Sequence, residues 1–200
     1  MYHYLSGKLI EKTPTAVVID VNGVGYDVLI PVSTYSSLPA LGGQVKLLTH
    51  FVVREDAQLL YGFGTEEERK MFRLLTSVSG IGPKIATTAL SGILVEDLKA
   101  AIKEGNVAVL TSISGIGKKT AERMVVELRE KVILDGNKSV ASAGVRGGVT
   151  VSSEAEDAVQ ALIALGYSKT QAQAAVEKSV KSSPDKLPVD KLVRSALKFV

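Results

Sequence analysis

Ser77-Val78-Ser79-Gly80-Ile81-Gly82-Pro83-Lys84-Ile85-Ala86 returns, 35 residues later, as Ser112-Ile113-Ser114-Gly115-Ile116-Gly117-Lys118-Lys119-Thr120-Ala121. Each copy reads as an apolar-polar-Gly-Ile-Gly turn that opens a helix. Glycines permit a tight turn and leave no Cβ between the backbone and an approaching group. The helix that follows offers bare N–H groups and the positive end of its dipole, the ordinary way a chain holds an anion. Val78 and Ile81, and their counterparts Ile113 and Ile116, are spaced to anchor each turn between helices. Lys84, Lys118, Lys119 and Arg123 can add charge directly to phosphate oxygens. One copy alone is an ordinary helix–helix turn. Two copies with matched flanks predict a device that grips two phosphates at a fixed separation, with Gly80, Gly82, Gly115 and Gly117 at its contacts. Such contacts read no base identity, so the expected binding is sequence-independent and sensitive to salt.

Two nucleotide-loop readings fail on spacing. A Walker A loop needs Gly-x-x-x-x-Gly-Lys-Ser/Thr. Here Ser112 stands at the first Gly position and Lys119 at the Ser/Thr position. A dinucleotide fingerprint follows a strand, whereas the sequence before Gly80 is helical in pattern. No ATP site and no cofactor are expected.

Working toward the N-terminus, residues 1–63 read as about five strands. Thr15 to Val21 and Val24 to Ile30 flank Asn22-Gly23, the strongest short hairpin signal because both residues tolerate positive φ. Val45 to Val53 and Ala57 to Tyr61 flank Arg54-Glu55-Asp56, a second hairpin with a charged tip. With a first strand from about Tyr4 to Glu11, a small closed barrel leaves the fewest open edges.

At Thr65 the period becomes helical, and residues 64–135 predict a compact block of five helices. Thr65 and Glu68 form a capping box. Pro83 suits a first turn, Gly92 and Gly105 read as stops, and Asn106 as a fresh N-cap. The last helix of the block is expected from about Lys118 to Leu134, with Ala121, Met124, Val125, Leu128 and Val132 inward. Residues 136–153 are small and polar and read as a flexible linker, about 20–25 Å end to end as a Gly/Ser-type coil. Residues 154–200 show three more helical patterns, with Ser168 capping the second and Pro188 starting the third. So short a unit has a thin core and suits a binding module better than a catalytic one.

Composition sets outer bounds. The hydrophobic fraction of 46% supports packed cores, and the net charge of +3 is too slight to imply nucleic acid by itself. With no cysteine, disulfides, thiolate metal sites and a cysteine nucleophile are excluded. His3 and His50 lie too far apart in sequence to suggest a zinc site. No apolar run approaches the roughly 18 residues of a membrane span. Met1-Tyr2-His3-Tyr4 lacks the pattern of a signal peptide, and the expectation is a cytoplasmic protein. No catalytic or metal-ligating constellation stands out.

The paired turns resemble tandem helix-hairpin-helix motifs. Together with Thr49-His50-Phe51-Val52-Val53-Arg54-Glu55-Asp56-Ala57-Gln58-Leu59-Leu60-Tyr61-Gly62-Phe63 and Gly115-Ile116-Gly117-Lys118-Lys119-Thr120-Ala121-Glu122-Arg123, they make the chain similar, over nearly its whole length, to the RuvA family of Holliday junction branch migration proteins. The resemblance implies a multidomain α+β protein: an OB-fold β-barrel that tetramerises, a tandem helix-hairpin-helix domain that binds DNA, and a C-terminal three-helix UBA-like domain that docks on a motor ATPase, RuvB. It implies a non-catalytic subunit acting in recombination, DNA repair and the SOS response, with the resolvase RuvC in the same complex and one or two tetramers on a four-way junction. Read alone, Glu55 and Asp56 are a solvated turn; the resemblance makes them an acidic pin at the tetramer centre. Arg54 either touches DNA or balances that acidic pair. Leu162, Leu165 and Tyr167 are the implied contacts with RuvB. The competing readings are a helix-hairpin-helix nuclease or glycosylase, and an adaptor whose hairpins bind only protein.

Overall fold

A computed structural model describes residues 2–141, 153–182 and 188–199, with side chains described for 2–134, 154–180 and 188–199. The chain divides into two compact units, residues 1–142 and 143–200.

The first unit begins with a closed barrel of β1 (Tyr4–Lys12), β2 (Ala16–Val21), β3 (Val24–Leu29), β4 (Gln44–Val53) and β5 (Gln58–Phe63), in spatial order β1-β2-β3-β5-β4. All pairings are antiparallel except β3 with β5, which closes the barrel through Leu29 and Tyr61. Asn22 (φ 53°) and Gly23 (φ 88°) make the expected β2–β3 turn. The Gly23 N–H donates to Asp20 Oδ1 at 2.7 Å. Alternation along the strands points Leu5, Leu9, Val17, Ile19, Val28, Ile30, Val45, Leu47 and Leu60 into the barrel.

Five helices follow in the same unit: α2 (Glu66–Thr76), α3 (Pro83–Gly92), α4 (Val95–Glu104), α5 (Val107–Thr111) and α6 (Lys118–Ala141). Thr65 and Glu68 form the full capping box, and Asn106 Oδ1 accepts from the Val109 N–H. Gly105 ends α4 in the left-handed region (φ 72°), whereas α3 ends at Gly92 with extended Ile93 as its cap. The barrel and helices share a core. β5 turns Tyr61 and Phe63 outward, where they meet Phe72 of α2 at ring-centroid distances of 5.1 and 4.9 Å.

A short helix, α1 (Val32–Ser37), was not expected from the sequence. Its residues are weak helix formers, and tertiary bonds hold it. Ser33 and Thr34 donate through their hydroxyls to the buried Glu68 carboxylate, which also accepts from the Gly64 N–H at 3.0 Å. Glu68 therefore joins α1 to α2 in addition to capping α2.

The expected linker is corrected at both ends: α6 continues through residues 136–141, and α7 already begins at Ser153. A single glycine in a helix costs only about 1 kcal/mol, and neither proline nor a left-handed cap interrupts Gly136 to Ala141. Residues 142–152 of that expected linker lie outside the described residues.

The second unit holds α7 (Ser153–Ala164), α8 (Lys169–Ser182) and α9 (Val189–Ala196). Its core is mainly alanine, with Leu162, Val176 and Leu192 the largest buried side chains. Ser168 and Gln171 exchange hydrogen bonds at the start of α8, and Pro188 is the N-cap of α9.

Candidate nucleic-acid interface

The two Gly-Ile-Gly turns have the same backbone. Ile81 N–H donates to Val78 O at 3.0 Å, and Ile116 N–H to Ile113 O at 3.0 Å. Gly80 and Gly115, third in each four-residue turn, have φ of 95° and 91°. These are type II turns, whose third residue must take positive φ. Val78, Ile81, Ile113 and Ile116 are all buried and fasten both turns into the helical core. The first turn joins α2 to α3; the second joins α5 to α6.

The glycines divide their work. Gly80 and Gly115 are required by the turn. Gly82, the N-cap of α3, has φ −85° and ψ 171°, which any residue adopts. A Cβ on Gly82 meets only Arg54 Nη2, at 4.0 Å, and one on Gly117 meets nothing within 4 Å. Neither turn geometry nor internal packing calls for glycine there, and serine, threonine or aspartate caps a helix better. What remains is an open face at the start of α3 and of α6. The first N–H groups of any helix lack intrahelical partners, and neither glycine offers a side-chain acceptor to them. Lys84, Lys118 and Lys119 stand beside these faces, exposed and without a hydrogen bond or ion pair among the described residues.

The two turns also lock against each other. A Cβ on Gly80 would lie 3.9 Å from Thr120 Oγ1, and one on Gly115 would lie 3.3 Å from Ile85 Cγ1. Ile85 and Thr120 are themselves equivalent positions of the repeat. Each left-handed glycine thus rests on the helix that follows the other turn, which fixes the separation of the two open faces. Arg123 strengthens the arrangement: from α6 its Nη1 donates to Ser79 O of the first turn at 3.2 Å, and its Nε lies 4.0 Å from Glu127 Oε1. Its remaining donors are available to a phosphate.

Glu55 and Asp56 lie at the exposed tip between β4 and β5, in a turn closed by the Arg54 N–H donating to Ala57 O at 2.8 Å. Neither carboxylate has an ion-pair partner among the described residues. Arg54 turns away from them, its guanidinium beside Gly82. Tyr61 is pushed up from its ordinary pKa by burial, and the Arg54 charge pulls the other way.

At the joint between β4 and α2, His50 lies edge-on to Phe72 at 5.4 Å, with its Nδ1 buried and unpaired. Burial, then Arg73 and Arg69, hold its pKa below the ordinary value.

In the second unit, α7 ends in a Schellman motif. Gly166 has φ 101°, the Tyr167 N–H donates to Leu162 O at 3.2 Å, and the Gly166 N–H to Ile163 O at 3.0 Å. Here the expected partner contacts separate. Leu162 is completely buried and belongs to the core, so it is not available to a partner. It faces inward because α7 presents Ala155, Ala158 and Leu162 on one stripe toward α8 and α9. Tyr167 packs partly on that core, whereas Leu165 is 63% exposed.

Comparison with known proteins agrees with this architecture. The family profile described as RuvA N terminal domain matches residues 1–62, the SAM-like helix-hairpin-helix tandem matches 72–130, and the RuvA C-terminal domain matches 153–200. This chain belongs to the RuvA family. A Holliday junction branch migration complex subunit RuvA from Chromobacterium violaceum is 50% identical over 97% of this chain and 95% of its own length. Proteins of the same description from Delftia acidovorans (50% identical, covering 87% of each chain) and Methylobacillus flagellatus (47% identical, covering 98% of this chain and 94% of its own) are similarly close.

For a RuvA-family chain, the hairpins and the acidic tip were readable from sequence. The nearness of Arg54 to Gly82 and the rest of Gly80 and Gly115 on the opposite helices were not, since both are long-range contacts. The one available signal was the repeat itself, which pairs Ile85 with Thr120.

Proposed function

We infer that this chain is the DNA-binding, non-catalytic subunit of a Holliday junction branch migration complex, acting in recombination and repair. The observation that carries this reading is the pair of open, glycine-capped helix starts beside unpaired lysines. They suit phosphates at two points along a DNA backbone, at a spacing set by the interlocked turns. Charge-assisted bonds from lysine and backbone donors supply affinity without sequence preference.

Preference for a junction comes from elsewhere. Carboxylates facing phosphates are repulsive, and such juxtaposition can cost several kcal/mol. With subunits arranged as a tetramer around Glu55 and Asp56, a continuous duplex crossing the centre meets this repulsion. The arms of an open four-way junction avoid it. The same charge helps to part strands as DNA moves through. The motor is RuvB, engaged by the C-terminal unit through a surface that includes Leu165 and Tyr167. RuvC joins the same complex, a second tetramer can close over the junction, and the assembly works in the cytoplasm.

The test is to incubate the pure chain with junction, linear duplex and single strand, with and without Mg²⁺. Junction-selective binding without cleavage is expected. Cleavage would make the chain a nuclease, and absence of DNA binding would make the hairpins protein-binding adaptors.

A further inference from the structure

The two hairpins share a backbone but not a charge supply. After Gly117 come two lysines, Lys118 and Lys119; after Gly82 come Pro83 and Lys84. Proline at the first helical position removes one N–H donor, and it replaces one of the two cations. The open face of the first hairpin is therefore poorer by a donor and by a charge.

A third residue lies at that face. Arg54 Nη2 is 4.0 Å from where a Cβ on Gly82 would stand, whereas the matching space at Gly117 is empty to 4 Å. Arg54 has no ion pair with Glu55, Asp56 or any other carboxylate among the described residues. It is exposed, its backbone is held in the tip turn by the bond to Ala57, and its charge is felt at Tyr61 on the neighbouring strand. The guanidinium thus reaches back from the acidic tip, across β5, to the start of α3.

We propose that Arg54 is the second cation of the first hairpin, holding with Lys84 one DNA phosphate over Gly82, as Lys118 and Lys119 do over Gly117. The assignment rests on the phosphate-gripping reading of the hairpins and resolves the role of Arg54 in favour of DNA over the acidic pair. It also has a geometric consequence. Arg54 is bonded in sequence to Glu55, so the phosphate it holds fixes where the repulsive tip sits against the DNA. Attraction and repulsion are then set by adjacent residues.

The experiment measures dissociation constants of the full-length chain for a labelled four-way junction and a linear duplex across a salt series. The variants are Arg54→Ala, Arg54→Gln, Arg54→Lys and Lys119→Ala, with Arg54→Ala repeated in a Glu55→Gln/Asp56→Asn background. Arg54→Ala is expected to weaken junction binding roughly tenfold, the scale of one charge-assisted bond, and to reduce the salt slope by about one. Arg54→Lys should recover most of the loss, and the loss should persist in the Gln/Asn background. Should Arg54→Ala lose its cooperative melting transition, Arg54→Gln, which keeps a polar side chain while removing the charge, gives the same reading. Unchanged affinity and slope for the charge-removing variants, while Lys119→Ala weakens binding, would overturn the assignment alone. A loss that vanishes in the Gln/Asn background would also overturn it, since Arg54 would then serve only the acidic pair. If Lys119→Ala is silent as well, the phosphate-gripping reading fails and this proposal falls with it.

Discussion

The first and second hairpins superpose in sequence, in turn type and in the burial of their anchoring residues, yet they are not equivalent. The first is entered from α2, which packs on the barrel through Phe72 and is tied to α1 through Glu68 and to His3 through Arg69, and it lies beside the tip that carries Arg54. The second joins α5 and α6, away from those contacts, and carries its own pair of lysines. The repeat therefore keeps one backbone device, while the cations beside it differ: Lys84 and the nearby Arg54 at the first copy, Lys118 and Lys119 at the second. The turn glycines differ too: a Cβ on Gly115 would lie 3.3 Å from Ile85 Cγ1, and one on Gly80 3.9 Å from Thr120 Oγ1.

That last difference gives the largest expected effect. Alanine at either position must take positive φ, at a cost of about 1–2 kcal/mol. At Gly115 the new methyl also presses on Ile85, and overpacking commonly costs about 1–3 kcal/mol more. Gly115→Ala should therefore lower the denaturant midpoint clearly more than Gly80→Ala. Equal losses would mean that the two turns do not rest on each other as described.

Next in size is the acidic tip, whose proposed role sets it against both hairpins. Replacing Glu55 by Gln and Asp56 by Asn should strengthen binding of linear duplex relative to junction, by roughly tenfold if about 1.4 kcal/mol of repulsion is removed. Unchanged relative affinities would transfer junction preference to some other part of the assembly.

The smallest effect separates the supports of the hairpins. Burial and two arginines hold the His50 pKa below its unfolded value. Between that lowered pKa and the ordinary value near 6.5, the unfolded chain binds more protons than the folded one, so stability falls as pH drops below about 6.5. His50→Gln should flatten this part of the stability profile. Hydrogen exchange should show the loss at low pH first in α2, against which His50 packs, before α6. A uniform response along the unit would remove His50 as a support specific to the first hairpin.

Much of this was legible because it is local. Asn22-Gly23, the Thr65–Glu68 box, Gly105-Asn106 and the doubled phrase each carry their conformation within a few residues. The parts that were not legible depend on partners far along the chain. Val32–Ser37 is helical because Glu68, more than thirty residues away, accepts from its hydroxyls. Leu162 and Leu165 look alike in an apolar run, and only the placement of α8 and α9 decides that one is core and the other exposed. The helical residues 136–141 were hidden by averaging composition over a longer polar stretch. At the candidate site, glycine at four positions read as one signal. Backbone angles and free space were needed to divide it into two turn-forming residues and two that leave room.

That division is the central claim, and the double variant Gly82→Ala/Gly117→Ala tests it directly. Both positions have ordinary backbone or open space around an added methyl; alanine caps a helix less well than glycine, and the lost freedom of the unfolded chain offsets part of that, so the melting temperature should stay within about 4 °C of the parent, the shift expected for about 1 kcal/mol. Junction affinity, measured on the same preparation, should fall at least tenfold because the methyls occupy the place of the phosphates. Junction binding at parental strength in the fully folded variant would contradict the account.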